Sequence, residues 1–305
     1  MRNDDFFRPD TPPTGESYED FFRTAEERYP ALRVTRFAKS LLGREIFAAR
    51  IGDGGRHLFY VGTHHALEWI TSYLLMDMIL ELASAAEEKR QIEGINIGFL
   101  LQNFTFTILP VLNPDGVRLA LGEIGETPLH DRQLRMSGGD FSSWQANARG
   151  VDLNHNYDRG FSAYKRLERE EGIFPGPTRF AGEYPESEPE THAVASYLRT
   201  TVPEAVITLH SQGEEIYFSS RTDPRAGRIA RRLSRVLSYP VATPVGLAAY
   251  GGLADYAGDV LGIPSYTIEV GRGKNPLPLT DYPALRRRVL PAGRRLLVES
   301  GRRPL

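Results

Sequence analysis

Four ionisable side chains follow or end apolar runs at three widely separated places in the chain. His65 and Glu68 follow the first run, His210 comes at the end of the second, and Glu269 lies near the end of the third. In open α/β sheets, ligands bind beyond the carboxyl ends of the strands. We therefore expect these four side chains to meet at one edge of a sheet.

Three of these residues have the composition of a catalytic zinc site. His65 and Glu68 are three residues apart where a loop turns into a helix, so their side chains face the same way. With His210 they form a set of two histidines and one carboxylate, which leaves a fourth metal position open for water. Glu269 is then free to act as general base on that water. Taken singly, each residue has an ordinary alternative, such as a buried histidine bonded to backbone or a strand-end ion pair.

The composition limits the chemistry that is available. The chain has 305 residues and no cysteine, which excludes disulfides, a thiol nucleophile, iron–sulfur clusters and cysteine-ligated zinc. The net charge of −2 argues against nucleic acid or an anionic membrane as a partner. No apolar run reaches the length of a membrane helix, and the N-terminus lacks the apolar segment of a signal peptide. We expect a cytoplasmic protein, unless the sequence is a piece of a longer, exported precursor.

The apolar patterns predict strands that alternate with helices. Such alternation is typical of an α/β fold, here a mixed, mostly parallel, doubly wound sheet with helices on both faces. The predicted strands are 32–37, 45–51, 58–62, 104–112, 205–209 and 265–270, and the predicted helices are 18–29, 67–89, 188–199, 224–237, 252–260 and 282–299.

No change of composition marks a domain boundary inside the chain. Residues 1–16 are polar and rich in proline, and we expect a loosely packed N-terminal arm, followed by a single catalytic domain over 17–305. Residues 116–162 show few periodic signals and are predicted to be a long irregular excursion, a kind of segment that is usually functional. Ser187 and Glu190 predict a capping box at the start of the helix over 188–199.

Further motifs accompany the four side chains in a fixed order. Residues 62–69, 113–116 and 150–156 read Gly-Thr-His-His-Ala-Leu-Glu-Trp, Asn-Pro-Asp-Gly and Gly-Val-Asp-Leu-Asn-His-Asn. With His210 in Leu-His-Ser and Glu269 in Thr-Ile-Glu, they resemble the zinc carboxypeptidases of the carboxypeptidase A type. The resemblance extends over about residues 18–300, nearly the whole chain.

The resemblance implies one zinc ion per chain, bound by the two histidines and the carboxylate named above, with Glu269 as the catalytic glutamate. It also implies that Asp152 holds a zinc-ligating imidazole in place, as such ligands generally require. A turn-forming aspartate in a glycine-rich loop is the alternative for this residue. His64 is a second candidate ligand, but the family pattern favours His65 because the residue before that histidine is usually apolar.

Three arginines that are typical of the family are missing. Leu67, Gln145 and His155 occupy their positions. An arginine normally grips the substrate carboxylate through two parallel bonds, and another stabilises the developing oxyanion. We expect Arg149, which is close in sequence to a lost position, to take the oxyanion role. An ordinary surface arginine is the alternative.

Several other residues are predicted to contact substrate. Asn154 and His155 stand where the family has an Asn-Arg pair. Arg272 and Lys274 lie on the glycine-rich loop after the third apolar run, where they provide new carboxylate contacts unless the loop is merely solvated.

Two further positions concern the specificity pocket. The resemblance implies a tyrosine shortly before the Gly-Gly segment, and by strict spacing Leu247 occupies that position. The nearest tyrosine is Tyr250, and the sequence leaves open whether it replaces the expected one. Ala254 falls where the resemblance implies the floor of the specificity pocket, and a small neutral side chain there would leave room without adding charge.

The segments 146–158 and 267–278 look most like a bacterial branch of the family that cleaves the γ-D-glutamyl–diaminopimelate bond of peptidoglycan peptides. Such a substrate carries several carboxylates and a free amine, so an altered set of cations is expected. A conventional metallocarboxypeptidase that acts on ordinary peptides is the alternative. A metal-binding pseudoenzyme is a third hypothesis, against which the intact Glu269 argues. The expected partner is a peptide or muropeptide, and the sequence does not indicate an oligomeric state.

Overall fold

Seven strands form the main sheet of the computed structural model, which describes residues 6–92, 94–123, 125–220 and 223–301. A separate sheet of two short strands, Gln91–Ile92 and Ile95–Asn96, lies apart from it. The strands are β1 (Leu32–Lys39), β2 (Glu45–Ile51), β3 (Arg56–Gly62), β4 (Gln91–Ile92), β5 (Ile95–Asn96), β6 (Phe104–Leu109), β7 (Ala205–Ser211), β8 (Glu215–Ser219) and β9 (Ser265–Val270).

The spatial order of the main sheet is β1-β2-β6-β3-β7-β9-β8. Its four central strands, β6, β3, β7 and β9, are parallel. Antiparallel pairs close both edges. The predicted mixed sheet with a parallel centre is confirmed. The sequence did not predict β8, because this edge strand is only partly buried and lacks a continuous apolar run.

The helices cover both faces of the sheet, as predicted. They are α1 (Gly15–Arg28), α2 (Ile70–Glu87), α3 (Ile97–Asn103), α4 (Pro114–Ala120), α5 (His130–Ser137), α6 (Phe161–Glu170), α7 (Pro189–Thr201), α8 (Ala226–Leu237), α9 (Leu253–Asp255) and α10 (Tyr282–Gly301). A π-helical turn, Tyr256–Val260, continues α9. None of the helices in the described ranges is both long and apolar enough to cross a membrane.

Alternating side chains of the central strands divide the core into two layers. In β3, Leu58 and Tyr60 pack with α1, α2, α8 and α10. Phe59 and Val61 point the other way and pack with α7 and α9. Successive side chains of a strand point to opposite faces of the sheet. A strand with helices packed on both faces must therefore be apolar at every position.

The N-terminal segment packs more closely than the sequence predicts. Phe7 is buried, and its ring stacks on that of Tyr73 with 5.3 Å between centroids. The Tyr73 hydroxyl donates a hydrogen bond to the backbone oxygen of Thr11 at 2.5 Å. The expectation of loose packing is therefore wrong for the described part of this segment, because an aromatic side chain anchors it to α2.

Two local expectations also differ from the structure. The excursion over 116–162 is not wholly irregular, since it contains α5, the end of α4 and the start of α6. The capping box of α7 is absent: its N-cap is Glu188, and Ser187 donates to the Glu188 carboxylate at 2.9 Å. Pro189 occupies the first helical position, where its fixed φ and missing N–H are tolerated, and this moves the helix start by one residue.

Candidate functional site

The carboxyl ends of β3, β7 and β9 bring the four predicted side chains together. His210 near the end of β7 pairs in register with Glu269 in β9, and Gly62 at the end of β3 pairs with Leu209. His65 follows β3 after two intervening residues. The parallel order of these three strands places the candidate site at the edge of the sheet that the sequence predicts.

Hydrogen bonds fix the turn that leads out of β3. The Thr63 backbone N–H donates to the Thr71 hydroxyl at 3.0 Å. The Asn113 amide donates to the His64 backbone oxygen at 3.0 Å, which explains the role of the Asn-Pro-Asp-Gly motif. The Ala66 N–H donates to the Gln145 backbone oxygen at 2.9 Å. A 3₁₀ turn over Ala66–Glu68 then turns the Glu68 side chain toward His65.

The ligating atoms of His65, Glu68 and His210 surround a common point. Nδ1 of His65 is 3.1 Å from Oε1 of Glu68, and Nδ1 of His210 is 3.0 Å from Oε2 of Glu68. The two Nδ1 atoms are 3.3 Å apart. In a tetrahedral zinc site, bonds of about 2.0–2.1 Å separate neighbouring ligand atoms by about 3.3 Å. The donor set and its spacing therefore fit a zinc ion.

Asp152 supports the imidazole of His65 from the side opposite to this point. Its Oδ1 lies 3.1 Å from Nε2 of His65, and its Oδ2 accepts from the Arg179 backbone N–H at 3.0 Å. Burial would raise the pKa of Asp152, but the imidazoles of His65 and His155 and these hydrogen bonds hold it well below its usual range. A charged Asp152 keeps the proton of His65 on Nε2 and leaves Nδ1 for a metal.

Asn275 is a member of the site that the sequence did not single out. Its side-chain N–H donates to Oε1 of Glu68 at 3.1 Å, and its Oδ1 accepts from the Ser211 hydroxyl at 2.7 Å. The backbone N–H of Asn275 donates to the side-chain oxygen of Gln212 at 2.8 Å. In the sequence, only the Asn-Pro pair in the loop after β9 draws attention to this residue. The structure shows that its side chain donates to the Glu68 carboxylate.

The two carboxylates at the site have opposite electrostatic environments. Burial would raise the pKa of Glu68, but the charges and hydrogen bonds of His65 and His210 lower it to about 2. Burial and the charge of Glu68 raise the pKa of Glu269 well above its usual range. Glu68 is therefore suited to bind a cation and Glu269 to exchange a proton.

His64 is buried beneath the ligand cluster and is not part of it. Its Nε2 lies 3.1 Å from the Tyr157 hydroxyl, and its ring stacks on that of His210 with 5.2 Å between centroids. Burial lowers the pKa of His64 well below its ordinary value, so it packs as a neutral ring.

The structure places Asn154 and His155 next to the Asp152 loop. The side-chain oxygen of Asn154 accepts from the Leu253 N–H at 3.2 Å and anchors the start of α9. Nδ1 of His155 lies 2.9 Å from the Tyr250 backbone oxygen. The ring of Tyr250 packs against Gly160. Contacts of these residues with substrate stay predictions.

The predicted basic residues are more dispersed. Nε of Arg149 lies 3.6 Å from the Glu188 carboxylate, and Arg149 lines a cavity of about 430 Å³. Arg272 is exposed and lies 3.3 Å from the Glu214 carboxylate. Lys274 is exposed on the same loop. The oxyanion role of Arg149 and the carboxylate contacts of the other two stay predictions.

Ala254 is buried in α9, where its backbone oxygen accepts a hydrogen bond from the Ser265 hydroxyl. Ser265 and Glu269 lie on the same face of β9, so Ala254 packs against the face that carries Glu269. Its place on the floor of a substrate pocket stays a prediction.

Comparisons with known proteins identify the family to which the chain belongs. The profile described as "Zinc carboxypeptidase" matches residues 18–293. The chain is 32% identical over 269 residues to gamma-D-glutamyl-L-diamino acid endopeptidase 1 of Lysinibacillus sphaericus. The match covers 86% of this chain and 66%, less than two thirds, of that relative.

Solved structures show the same fold at lower identity. Bovine thrombin-activatable fibrinolysis inhibitor, in complex with tick carboxypeptidase inhibitor, has a TM-score of 0.74 and 21% identity over 96% of this chain and 98% of that one. Murein-tripeptide amidase MpaA of Escherichia coli O157 has a TM-score of 0.53 and 18% identity over 87% and 91%. With the family profile matching most of its length, the chain belongs to the zinc carboxypeptidase family.

Proposed function

We propose that the protein is a zinc metallopeptidase that hydrolyses the amide bond between γ-D-glutamate and a diamino acid, such as diaminopimelate, in peptidoglycan-derived peptides. In this proposal Glu269 is the general base toward water. One observation supports this type of reaction above the others. The strand register places Glu269 beside His210, which forms the candidate metal cluster with His65 and Glu68.

The residues around the metal position divide the chemical work. When bound, zinc polarises the scissile carbonyl and lowers the pKa of water. Glu269 takes a proton from water and returns it to the leaving amine. Asp152 holds His65 so that its Nδ1 faces Glu68. Arg149 is proposed to stabilise the charge that develops on the substrate oxygen.

Two observations support the substrate class. The relative that shares 32% identity is named for cleavage between γ-D-glutamate and a diamino acid. The three positions at which the family has arginine carry Leu67, Gln145 and His155, which disfavours ordinary recognition of a peptide C-terminus. We propose that Asn154, His155, Tyr250, Arg272 and Lys274 contact the carboxylates of the muropeptide instead, with Ala254 on the pocket floor.

Metal analysis tests the site. His65→Ala and His210→Ala should lose stoichiometric zinc, whereas His192→Ala, at an exposed histidine, should keep it. Normal zinc in both site variants would refute the ligand assignment. Glu269→Gln should keep zinc and lower kcat by a factor of about 10²–10⁴. A Glu269→Gln variant within tenfold of wild type would refute its role as base.

Product analysis tests the substrate. Mass spectrometry would follow L-Ala-γ-D-Glu-diaminopimelate and simple peptides with aliphatic or aromatic C-terminal residues. We expect release of diaminopimelate from the first. Release of C-terminal residues from the simple peptides, with the muropeptide intact, would identify a conventional carboxypeptidase. Cleavage of neither by the zinc-loaded protein would favour a pseudoenzyme.

A further inference from the structure

A second carboxylate faces the proposed base across the edge of the sheet. Glu215 in β8 pairs in register with Glu269 in the antiparallel strand β9. Side chains directly opposite each other in such a pair point to the same face, with Cβ atoms about 4.5–5.5 Å apart. Like charges that stand directly opposite each other in such a pair repel.

No basic side chain in the described ranges forms an ion pair with Glu215 that would offset this repulsion. Its carboxylate accepts a hydrogen bond from the Tyr217 hydroxyl at 2.6 Å. Its neighbour Glu214 differs, since it lies 3.3 Å from Arg272 and 2.8 Å from Arg288. Glu215 is half-buried and keeps acceptor capacity for a further donor.

The other side chains of β8 and β9 on this face are polar but uncharged, and at the far end the Ser219 hydroxyl donates to the Asp259 carboxylate at 2.6 Å. Tyr217 stands opposite Thr267, which accepts a hydrogen bond from the Thr208 hydroxyl at 3.0 Å. Below them lies Ser265, bonded to the backbone oxygen of Ala254. Thr267 and Tyr217 are half-buried, so part of each side chain stays accessible beside Glu215. Ala254 adds no charge to this face from α9, whereas Glu215 adds one from β8.

We propose that Glu215 binds the free amino group of the substrate residue on the leaving side of the scissile bond, and so selects a diamino acid there. This inference rests on the proposed function. A primary ammonium donates three hydrogen bonds, and a charge-assisted bond to Glu215 supplies the missing countercharge. An aliphatic residue of equal length would leave the two carboxylates uncompensated. The diamino acid is selected by its second amine, through Glu215 rather than through the floor of the pocket.

The test compares γ-D-glutamyl-L-lysine and γ-D-glutamyl-L-norleucine substrates, which differ in one amine. For the zinc-loaded wild type we expect kcat/KM about tenfold to hundredfold higher for the lysine substrate, as a hydrogen bond to a charged group supplies. Glu215→Gln should abolish this preference and leave the norleucine substrate within a few-fold. Glu214→Gln, the matched control, should keep the preference. Equal loss on both substrates would overturn the proposal, as would a preference that survives in Glu215→Gln.

Failure of the proposed function gives a different result. If wild type cleaves no γ-D-glutamyl bond, the same lysine and norleucine pair is offered in an ordinary α-peptide bond. A lysine preference that Glu215→Gln removes would then sustain the role of Glu215 while refuting the γ-D-glutamyl substrate. If neither bond is cleaved, calorimetric binding of the two dipeptides provides the comparison. Equal affinity of wild type for both would overturn the role of Glu215.

Discussion

The side-chain N–H of Asn275 donates a hydrogen bond to Oε1 of the proposed zinc ligand Glu68 at 3.1 Å, across 207 positions of sequence. Its other side-chain atom, Oδ1, is held by the Ser211 hydroxyl, next to His210. The Asn275 amide thus connects the loop after β9 to Glu68 and to the residue next to His210. Groups that orient metal ligands in this way usually change metal affinity when they are removed.

We predict that Asn275→Ala lowers zinc affinity about 10- to 100-fold, because Glu68 loses the donor that orients it. Competition with a chelator measures the affinity directly. Asn275→Asp should lose more, since a second carboxylate would face Glu68. Asn103→Ala is the control, because the Asn103 amide only caps a backbone oxygen in α3. Zinc affinity of Asn275→Ala equal to that of the control would show that the contact is incidental.

The oxyanion role of Arg149 is open to a kinetic test. We predict that Arg149→Ala lowers kcat about 10²–10³-fold with little change in KM, the usual cost of losing one donor to the transition state. Arg132→Ala, from the lining of the same cavity, should leave kcat within a few-fold. If Arg149→Ala keeps its kcat and loses only thermal stability, Arg149 is a structural partner of Glu188.

The buried Glu190 makes stability depend on pH. Burial raises its pKa from 4.5 to about 7, although the Leu41 N–H bonded to it opposes the shift. The folded protein therefore binds this proton more tightly than the unfolded chain. Its stabilisation is complete below pH 4.5 and is lost as pH rises toward 7, a change of about 3 kcal/mol.

The measurement is the free energy of unfolding of wild type and Glu190→Gln at pH 5 and pH 8, with equal zinc. We predict that wild type loses about 2.5 kcal/mol more than the variant between these values, since a part of the total change already occurs below pH 5. Glu183→Gln, at an exposed position, should follow wild type. Identical pH dependence of wild type and Glu190→Gln would exclude Glu190 as the titrating group.

The N-terminal segment should contribute to stability through one ring. Phe7 is 8% exposed and contacts the rings of Phe21, Tyr73 and Tyr282. We predict that Phe7→Ala lowers the free energy of unfolding by about 3–5 kcal/mol, the usual cost of deleting a buried phenylalanine. Phe99→Ala, at a ring that is 68% exposed, should cost much less. Chemical denaturation compares the two, and equal costs would contradict anchoring by Phe7.

The central sheet and the ligand set follow from the sequence, whereas the edges and supporting contacts do not. Continuous apolar runs identify β3, β7 and β9, because strands covered on both faces must be apolar throughout. His65, Glu68 and His210 each have an ordinary alternative when taken singly, and their joint placement after or at the end of apolar runs is what indicates a site. The roles of Glu215 and Asn275 could not be predicted from the sequence. Glu215 faces Glu269 only because of the strand register, and Asn275 reaches Glu68 only because the loop after β9 folds back over the site.

The candidate metal site joins segments that are far apart along the chain. His65 and His210 are 145 positions apart, and they meet only when β7 has paired with β3. A partly folded chain with His65 and Glu68 alone offers two ligands, which hold zinc weakly. Tight zinc binding is then a signal that long-range strand pairing is complete. Zinc would stabilise the native protein over partly folded forms by a free energy that grows with the logarithm of its free concentration.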